Sequence, residues 1–408
     1  MKKNRSPILI GAQFWAYGPA GKANAIAHEL KNLRIKVDFV GAETSYQLCK
    51  ALGYFSNLYN FNSGPRLDNF PDYKVVISVM DPYLALWAYK RKIPLIYADS
   101  MSWFWRWKNI DPKSVKSIVS QIDRVSFIDG CKILDKFEPD QRQLFAHLIS
   151  DKILGQGNPQ VVKKTKSKAS NVGSIIDLNY IKKTKRDTLL ISLSGGISPA
   201  TNLSAALNYT KLVLDLLSDR LEKWPGAKRF IITGHPLVIS SFKKYPKILK
   251  PMALSQLDFL KELNRAVAVL VPCGFTTIYE SLAYGAPVAF LPENHNGHVY
   301  EYLTIIKGIN NIDKKEKVFP HALFCINDAD IKHIKPIGES MNLIKGYTNK
   351  YFNSVNFKDH YLQKVDWWLE YFKNPRIIYK NQRKQILTTI PDFYGAARVA
   401  KAAAKFIK

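Results

Sequence analysis

The chain has 408 residues, of which 47% are hydrophobic, so it is a folded protein with enough apolar side chains for two domains. No apolar run approaches the ~20 residues of a membrane-spanning helix, and the four cysteines are far apart, without the close pairs of a zinc site or disulfide scaffold. Their spacing indicates a reducing compartment without structural zinc, and we expect a cytoplasmic protein. The chain has 60 lysine and arginine residues against 33 aspartate and glutamate residues, a formal net charge of +27.

The positive charge has three explanations. Lysines are dispersed along the chain, as in the stretches 163–168 and 182–186, without a long basic block or a nucleic-acid-binding motif. The pattern therefore does not indicate nucleic acid as a partner. A solvated basic surface, peripheral contact with the anionic inner face of a membrane, and an anionic ligand remain open.

The first elements predict a Rossmann-type start. A buried strand at Pro7–Ile10 leads through a glycine-rich loop into a helix at Ala23–Leu33, which is followed by a strand at Lys36–Val40. The loop lacks the G-x-G-x-x-G pattern, so a dinucleotide is not indicated.

Two aspartates follow the next predicted strands. Val75–Val79 is followed by Asp81, and Pro94–Tyr97 by Asp99. Ligands of open α/β sheets bind at the carboxyl ends of the strands, where either carboxylate could act as a general base. Aspartates at strand ends also cap helices or bond to loops, and that interpretation stays open.

An aromatic cluster comes directly after Asp99 and contains Trp103, Trp105 and Trp107. It could form a wall of an acceptor site, a membrane-facing patch or a loop packed on the core. The pattern then predicts a strand at Val125–Ile128 and a helix at Asp140–Ile149. We place the linker between domains around Ile176–Asp187, where the chain is polar and charged.

The second half repeats the alternation of strand and helix. A buried strand at Thr188–Leu193 precedes Gly195 and Gly196, and a strand at Arg229–Thr233 precedes His235. An amphipathic helix is predicted at Ala205–Leu217 between them. His235 could approach a nucleotide, or it could be a turn residue.

The most informative stretch runs from Val267 to Gly308. A buried strand ends at Pro272-Cys273-Gly274, and a helix beginning at Thr276 and Thr277 carries Glu280 near its start. Gly285-Ala286-Pro287, a strand at Val288–Leu291 and a polar loop at Pro292–His298 follow. A helix N-terminus offers free N–H groups to a phosphate, and Gly274 lets the phosphate approach. Glu280 could accept hydrogen bonds from ribose hydroxyls, and the polar loop could reach an attached sugar.

This stretch resembles the nucleotide-sugar motif of GT-B glycosyltransferases, the broad group that holds the UDP-glycosyltransferases and the MurG-like enzymes. Their pattern reads roughly Gly-Gly-x-Thr/Ser-x-x-Glu, then Gly-x-Pro, then a proline-containing loop. Cys273 replaces the first glycine, and the Asp-Gln pair that many members use on the donor sugar is not evident. Glu293, Asn294, Asn296 and His298 stand in that loop instead.

The N-terminal half is similar to the same group. Ala25-Ile26-Ala27-His28-Glu29-Leu30 matches the family's first helix, but the family's catalytic histidine falls on Pro19. His28 lies within the helix, where a boundary histidine is the expected role.

The resemblance implies an α/β protein with two Rossmann-like domains facing across a cleft. We expect an acceptor domain at 1–180, a nucleotide-sugar domain at 181–385, and a final helix at 386–408 that packs back on the first domain or rests on a membrane. It implies inverting transfer of a sugar from a UDP- or dTDP-sugar, without a cofactor or metal. From their position at strand ends, we expect Asp99 and Asp81 to be the catalytic residues. The expected donor residues are Gly195, Gly196, His235, Gly274, Phe275, Thr276, Thr277, Glu280, Glu293 and Asn294.

Two other functions remain open. A nucleotide-sugar epimerase has the same architecture of two Rossmann-like domains and would need no acceptor site. The Trp103–Trp107 cluster, which could form an acceptor site, argues mildly against this function. A non-catalytic binder of sugar nucleotides or anionic glycans would explain the proline at the position of the family's histidine.

Overall fold

The computed structural model describes residues 7–14, 17–61, 70–101, 112–157, 169–195, 197, 201–295, 297–299, 301–302, 318–321 and 337–407. Its strands are β1 (Ile8–Ala12), β2 (Val37–Gly41), β3 (Leu58–Asn60), β4 (Val75–Val79), β5 (Leu95–Asp99), β6 (Lys152–Gly155), β7 (Ser170–Asn171), β8 (Thr188–Ser192), β9 (Arg229–Thr233), β10 (Leu249–Met252), β11 (Ala266–Val271) and β12 (Val288–Phe290).

The helices are α1 (Tyr17–Asn32), α2 (Glu43–Lys50), α3 (Pro82–Lys90), α4 (Pro112–Asp123), α5 (Phe127–Asp135), α6 (Pro139–Ile149), α7 (Leu203–Leu217), α8 (Pro236–Ser241), α9 (Gln256–Arg265), α10 (Phe275–Ala283), α11 (Ile337–Asn353), α12 (Val355–Tyr371), α13 (Pro375–Ile386) and α14 (Gly395–Ala404). A 3-10 turn, Ser218–Arg220, follows α7. Among the described residues, no helix has the length and apolar character required to span a bilayer.

The chain divides into two compact units, Met1–Asn179 with Thr389–Lys408, and Tyr180–Thr388. In the described part of the first unit, seven strands form a sheet in the order β3-β2-β1-β4-β5-β6-β7. All of its pairings are parallel. The inner strands β1, β4 and β5 are buried along their whole length because both of their faces are covered, which explains their continuous apolar sequences.

The final helix belongs to the first unit and packs on α1. Its first residue, Gly395, donates its N–H to the carbonyl of Ser174 at 2.9 Å. A Cβ at this position would lie 2.6 Å from the same carbonyl oxygen, so only glycine permits the contact. Arg398 donates to the carbonyl of Val172 and pairs with Asp392. These contacts fasten the end of the chain to the segment after β7.

The second unit contains a parallel sheet in the order β10-β9-β8-β11-β12 among its described residues. Its core joins the inward faces of these strands to α7 and α12, with Trp224 and Trp368 in edge-to-face contact at 6.4 Å. Arg186 donates to the carbonyls of Ala266 and Tyr284, and so ties the entry of β8 to β11 and to the end of α10.

Two parallel α/β units confirm the predicted fold class. The predicted helix at Asp140–Ile149 is confirmed as α6, and the helix at Ala205–Leu217 as α7. The strand predicted at Val125–Ile128 is wrong, because Ser126 caps α5 by accepting a hydrogen bond from the Asp129 amide at 3.1 Å.

Candidate functional site

The N-terminus of α10 lies at the carboxyl edge of the second sheet. Pro272 ends the buried strand β11, and Gly274 is the N-cap, with extended backbone and no side chain to satisfy the helix amides. The first N–H groups of a helix have no acceptor within it, and the helix dipole adds positive potential there. This end of α10 is therefore suited to an anion.

The predicted residues of this turn have different surroundings. Gly274, Thr276 and Thr277 are partly exposed, whereas Phe275 is buried and its ring stacks on Tyr279 at 5.3 Å. Phe275 can therefore offer a ligand its backbone amide but not its side chain. Glu280 is only 5% exposed, one turn into the helix.

A carboxylate of the chain itself reaches this turn. The Phe275 amide donates to Glu301 Oε2 at 2.9 Å. A Cβ at Gly274 would lie 3.9 Å from the same oxygen and 3.7 Å from His298 Nε2. His298 is the last residue of the polar loop and Glu301 follows it. No motif in the sequence pointed to Glu301.

The two histidines of the polar loop are neutral at pH 7. Burial lowers the pKa of His295 to about 4, and burial together with His295 lowers the pKa of His298 to about 3. His295 Nδ1 accepts from the Gly297 amide at 3.0 Å. These imidazoles therefore present N–H groups and lone pairs near the turn, but no positive charge.

Glu293 and Asn294 are buried and hold the polar loop in place. Glu293 Oε1 lies 2.8 Å from Nε2 of His321, while its other oxygen has no partner among the described residues. Asn294 donates to the carbonyl of Leu193 at 3.2 Å, just after β8. The loops that follow β8, β11 and β12 are thus neighbours along one edge of the sheet, as parallel strand ends must be.

Cys273 occupies the position of the first glycine of the family motif and is 1% exposed. Burial raises the pKa of its thiol, and the nearby carboxylates of Glu301 and Glu293 raise it further. The thiol is therefore protonated and behaves as a small apolar group beneath the turn.

The remaining donor candidates lie at the ends of β8 and β9. Gly195 is buried and accepts from the Ile197 amide at 2.7 Å, while Gly196 lies outside the described residues. His235 is the N-cap of α8, where its Nδ1 accepts from the Leu237 amide at 3.2 Å. Burial lowers the pKa of His235, so this ring is also neutral.

The two aspartates of the first unit are both hydrogen-bonded. Asp99 ends β5 and is fully buried, with Oδ2 at 2.8 Å from His147 Nε2 and Oδ1 accepting from the Met101 amide. Asp81 caps α3 by accepting from the Tyr83 and Leu84 amides, and burial raises its pKa. Sequence reasoning missed His147, which lies on a predicted helix without a motif. The Trp103–Trp107 cluster lies outside the described residues.

His28 is held within the first unit, and Pro19 is buried in α1. His28 Nδ1 lies 2.9 Å from Asp177 Oδ2, and its ring stacks on Tyr54 at 4.6 Å. These contacts fit the boundary role that the sequence predicts for His28. In the part of the chain that the structure describes, no group of acidic, histidine or cysteine side chains is arranged to hold a metal ion.

No protein-family model matches the chain, and no curated protein matches it. Solved structures do match. Os79 from O. sativa in complex with UDP is 12% identical, with a TM-score of 0.54 over 98% of this chain and 100% of that chain. Os79 in complex with U2F and trichothecene is 12% identical, with a TM-score of 0.53 over the same shares. The glycotransferase of kitacinnamycin is 11% identical, with a TM-score of 0.50 over 99% and 100%.

At these identities the comparison shows the fold alone. The chain has the GT-B fold of glycosyltransferases, which confirms the resemblance found in the sequence.

Proposed function

We propose that this protein is a glycosyltransferase that moves a sugar from a nucleoside-diphosphate sugar, with UDP or dTDP as the favoured nucleotide, to an acceptor. The observation that carries the proposal is the glycine-capped N-terminus of α10 at the carboxyl edge of a parallel sheet. The fold of this chain matches that of an O. sativa protein in complex with UDP over 100% of that protein's chain. A helix end of this kind suits a diphosphate.

In this proposal the diphosphate is bound by the backbone of Gly274, Phe275, Thr276 and Thr277, with the two threonine hydroxyls as further donors. Glu280 binds the ribose. Gly195 and His235 follow neighbouring strands at the same edge, Gly196 is a further donor-binding residue, and Glu293 and Asn294 shape the loop nearest the sugar. The helix dipole stabilises charge on the departing diphosphate, so the transfer is metal-independent and needs no cofactor.

We propose Asp99 and Asp81 as the acid–base residues that serve an inverting transfer. An aspartate bound to an imidazole, as Asp99 is to His147, can fix the ring and stabilise its charged form. The raised pKa of Asp81 would make its carboxylate a stronger base near neutral pH. Both roles are supported by position at strand ends.

We further propose a cytoplasmic protein that touches an anionic membrane surface. The charge of +27 supports this partner. On α13 the exposed residues Arg376, Lys380, Arg383 and Lys384 add to it locally, and no acidic residue occurs in Pro375–Ile386.

The test is calorimetric binding of UDP-, dTDP-, GDP- and ADP-sugars to the wild type, to Glu280→Ala, and to Glu370→Gln as control. Glu370 is exposed on α12 of the same unit, so its variant removes one negative charge away from the site. We expect one nucleotide series to bind, Glu280→Ala to lose this binding, and the control to keep it. Failure of every nucleotide to bind would overturn the proposal.

Product analysis then separates the candidate activities. Transfer to an added acceptor supports the proposal, whereas a changed sugar without an acceptor indicates an epimerase. Binding without any turnover indicates a non-catalytic binder, which the proline at position 19 would explain.

A further inference from the structure

Glu301 occupies the place at the start of α10 where the donor diphosphate is expected. Its Oε2 accepts from the amide of Phe275, the first residue of the helix, at 2.9 Å. Glu301 is partly exposed and helical, and it lies 26 residues further along the chain than Phe275. The chain therefore supplies its own anion to this helix end.

A carboxylate and a phosphate make the same kind of bond here. Each is an anion that accepts a charge-assisted hydrogen bond from a helix amide and gains from the helix dipole. They cannot accept from the same N–H at full strength, and two like charges side by side repel. Donor binding at this amide therefore requires the Glu301 carboxylate to move away.

The turn at Gly274 can take one further methyl group without a clash. A Cβ built on Gly274 would meet its nearest neighbours, His298 Nε2, the Pro272 carbonyl oxygen and Glu301 Oε2, at 3.7 to 3.9 Å. One of these three is the Glu301 side chain itself. The imidazole of His298 is neutral, so it adds no positive charge that would hold the carboxylate in place.

We propose that Glu301 is an affinity-determining residue of the donor site: its carboxylate occupies the start of α10 in the free protein and is displaced by the donor diphosphate. The inference rests on the proposed function, because it takes the same helix end as the diphosphate subsite. Glu301 then lowers donor affinity, and it releases the product nucleotide by returning to the Phe275 amide.

A purely structural cap makes the opposite prediction. If Glu301 only stabilises the first turn of α10, its removal destabilises the protein and leaves anion binding unchanged or weaker. If Glu301 competes with the diphosphate, its neutralisation tightens anion binding. Glutamine is the informative replacement, since its amide oxygen can still accept from Phe275 without the charge.

The experiment measures binding of inorganic pyrophosphate and of UDP by calorimetry. It compares the wild type with Glu301→Gln, Glu301→Ala and the control Asp258→Asn. Asp258 lies in the first turn of α9 in the same unit and is exposed, so the control removes equal charge at another helix start. Circular dichroism and the melting temperature report whether each variant folds.

We expect Glu301→Gln to bind both probes roughly tenfold more tightly than the wild type, and Asp258→Asn to change binding by less than about twofold. Equal or weaker binding by a folded Glu301→Gln or Glu301→Ala overturns the inference, as does the absence of pyrophosphate and UDP binding in every protein. Tighter pyrophosphate binding without sugar transfer would support Glu301 and refute the proposed function. If the wild type transfers a sugar but Glu301→Gln binds the probes no more tightly, the proposed function is supported and the role of Glu301 is refuted.

Discussion

The carboxylate of Asp99 and the imidazole of His147 form a buried pair at the carboxyl end of β5, with Oδ2 and Nε2 2.8 Å apart. Their side chains are 0% and 1% exposed. The second oxygen of Asp99 accepts from the Met101 amide at 2.7 Å, so this single carboxylate joins β5, α6 and the turn after the strand. Asp99 therefore has a structural role whether or not it also takes part in catalysis.

We expect Asp99→Ala to lower the free energy of unfolding by about 3 to 5 kcal/mol, because it leaves a buried imidazole and an amide without their partner. Urea denaturation measures the change. Asp72→Ala is the control, since Asp72 is 90% exposed and pairs loosely with Arg91, and it should cost less than about 1 kcal/mol. Equal stability of both variants would contradict the structural role.

Asp99→Asn tests catalysis separately, because asparagine preserves the shape and one acceptor. If Asp99 is an acid–base residue, as proposed, the Asp99→Asn variant should stay folded and its kcat should be lower by roughly a hundredfold or more. An unchanged kcat in a folded Asp99→Asn would remove Asp99 from the chemistry and leave its packing role.

Two glycines of the donor motif serve different purposes. Gly274 has φ −110°, and a Cβ there would meet no atom closer than 3.7 Å, so alanine fits. We expect Gly274→Ala to change stability by less than about 1 kcal/mol and to weaken UDP binding about tenfold, because the methyl group blocks close approach of a phosphate. Calorimetry and urea denaturation give the two quantities.

Gly285→Ala is the contrasting variant. Gly285 has φ +85°, and a Cβ would stand 2.6 Å from Arg186 Nη2. That guanidinium also donates to the carbonyl of Tyr284. We expect a loss of about 1 to 3 kcal/mol in stability. For Gly274→Ala, the contradicting result is different: if this variant binds UDP as tightly as the wild type, the proposed phosphate site is wrong.

The sequence was sufficient for the local features of this fold. Continuous β-branched and apolar runs predicted β1, β4, β8 and β11 because a parallel strand covered on both faces needs no polar residues. The start of α10 was also predictable, since Gly-x-Thr-Thr directly after a buried strand is a signal within the local sequence for a turn into a helix.

Contacts between distant residues were not predictable. His147 lies 48 residues from Asp99, and Glu301 lies 26 residues from Phe275, so only the tertiary fold brings each pair together. Neither residue stands in a motif. The error at Val125–Ile128 has a different origin, because a four-residue segment with three apolar side chains fits a strand or a helix and the Ser126 cap selects the helix.

Acid should weaken the second unit through its buried histidines. The pKa of His298 is lowered to about 3 and that of His295 to about 4, whereas an unfolded histidine titrates near 6.5. Unfolding therefore takes up protons below about pH 6.5. The free energy of unfolding decreases as the pH is lowered, until the pH reaches the pKa of each histidine in the folded protein. Each histidine contributes about 1.4 kcal/mol per pH unit inside this window.

We expect His298→Gln to reduce the loss of stability between pH 6.5 and 5 by up to about half, since His295 and His235, whose pKa values burial also lowers, keep their contributions. Urea denaturation at several pH values measures the slope. His360→Gln replaces an exposed histidine of α12 and should keep the slope of the wild type. An identical slope in all three proteins would contradict the burial of a neutral His298.

The outer edge of β12 is covered in part by a side chain, beside the bridge that Phe290 forms with His321. Gln382 on α13 is fully buried, and its Oε1 accepts from the Val288 amide at 2.8 Å. Its Nε2 donates to the carbonyls of Val288 and Val318, both at 2.7 Å. One amide side chain thus satisfies three backbone groups next to the loop that carries Glu293 and Asn294.

Gln382→Met keeps the size of the side chain and removes all three hydrogen bonds. We expect it to lower the free energy of unfolding by about 2 to 4 kcal/mol, because buried backbone groups of β12 lose their partners. Asn381→Met, at the exposed neighbouring position of α13, should change stability by less than about 0.5 kcal/mol. If both variants unfold at the same urea concentration, Gln382 does not hold this edge. If only Gln382→Met is destabilised and it also binds UDP more weakly, the edge of β12 supports the donor loop.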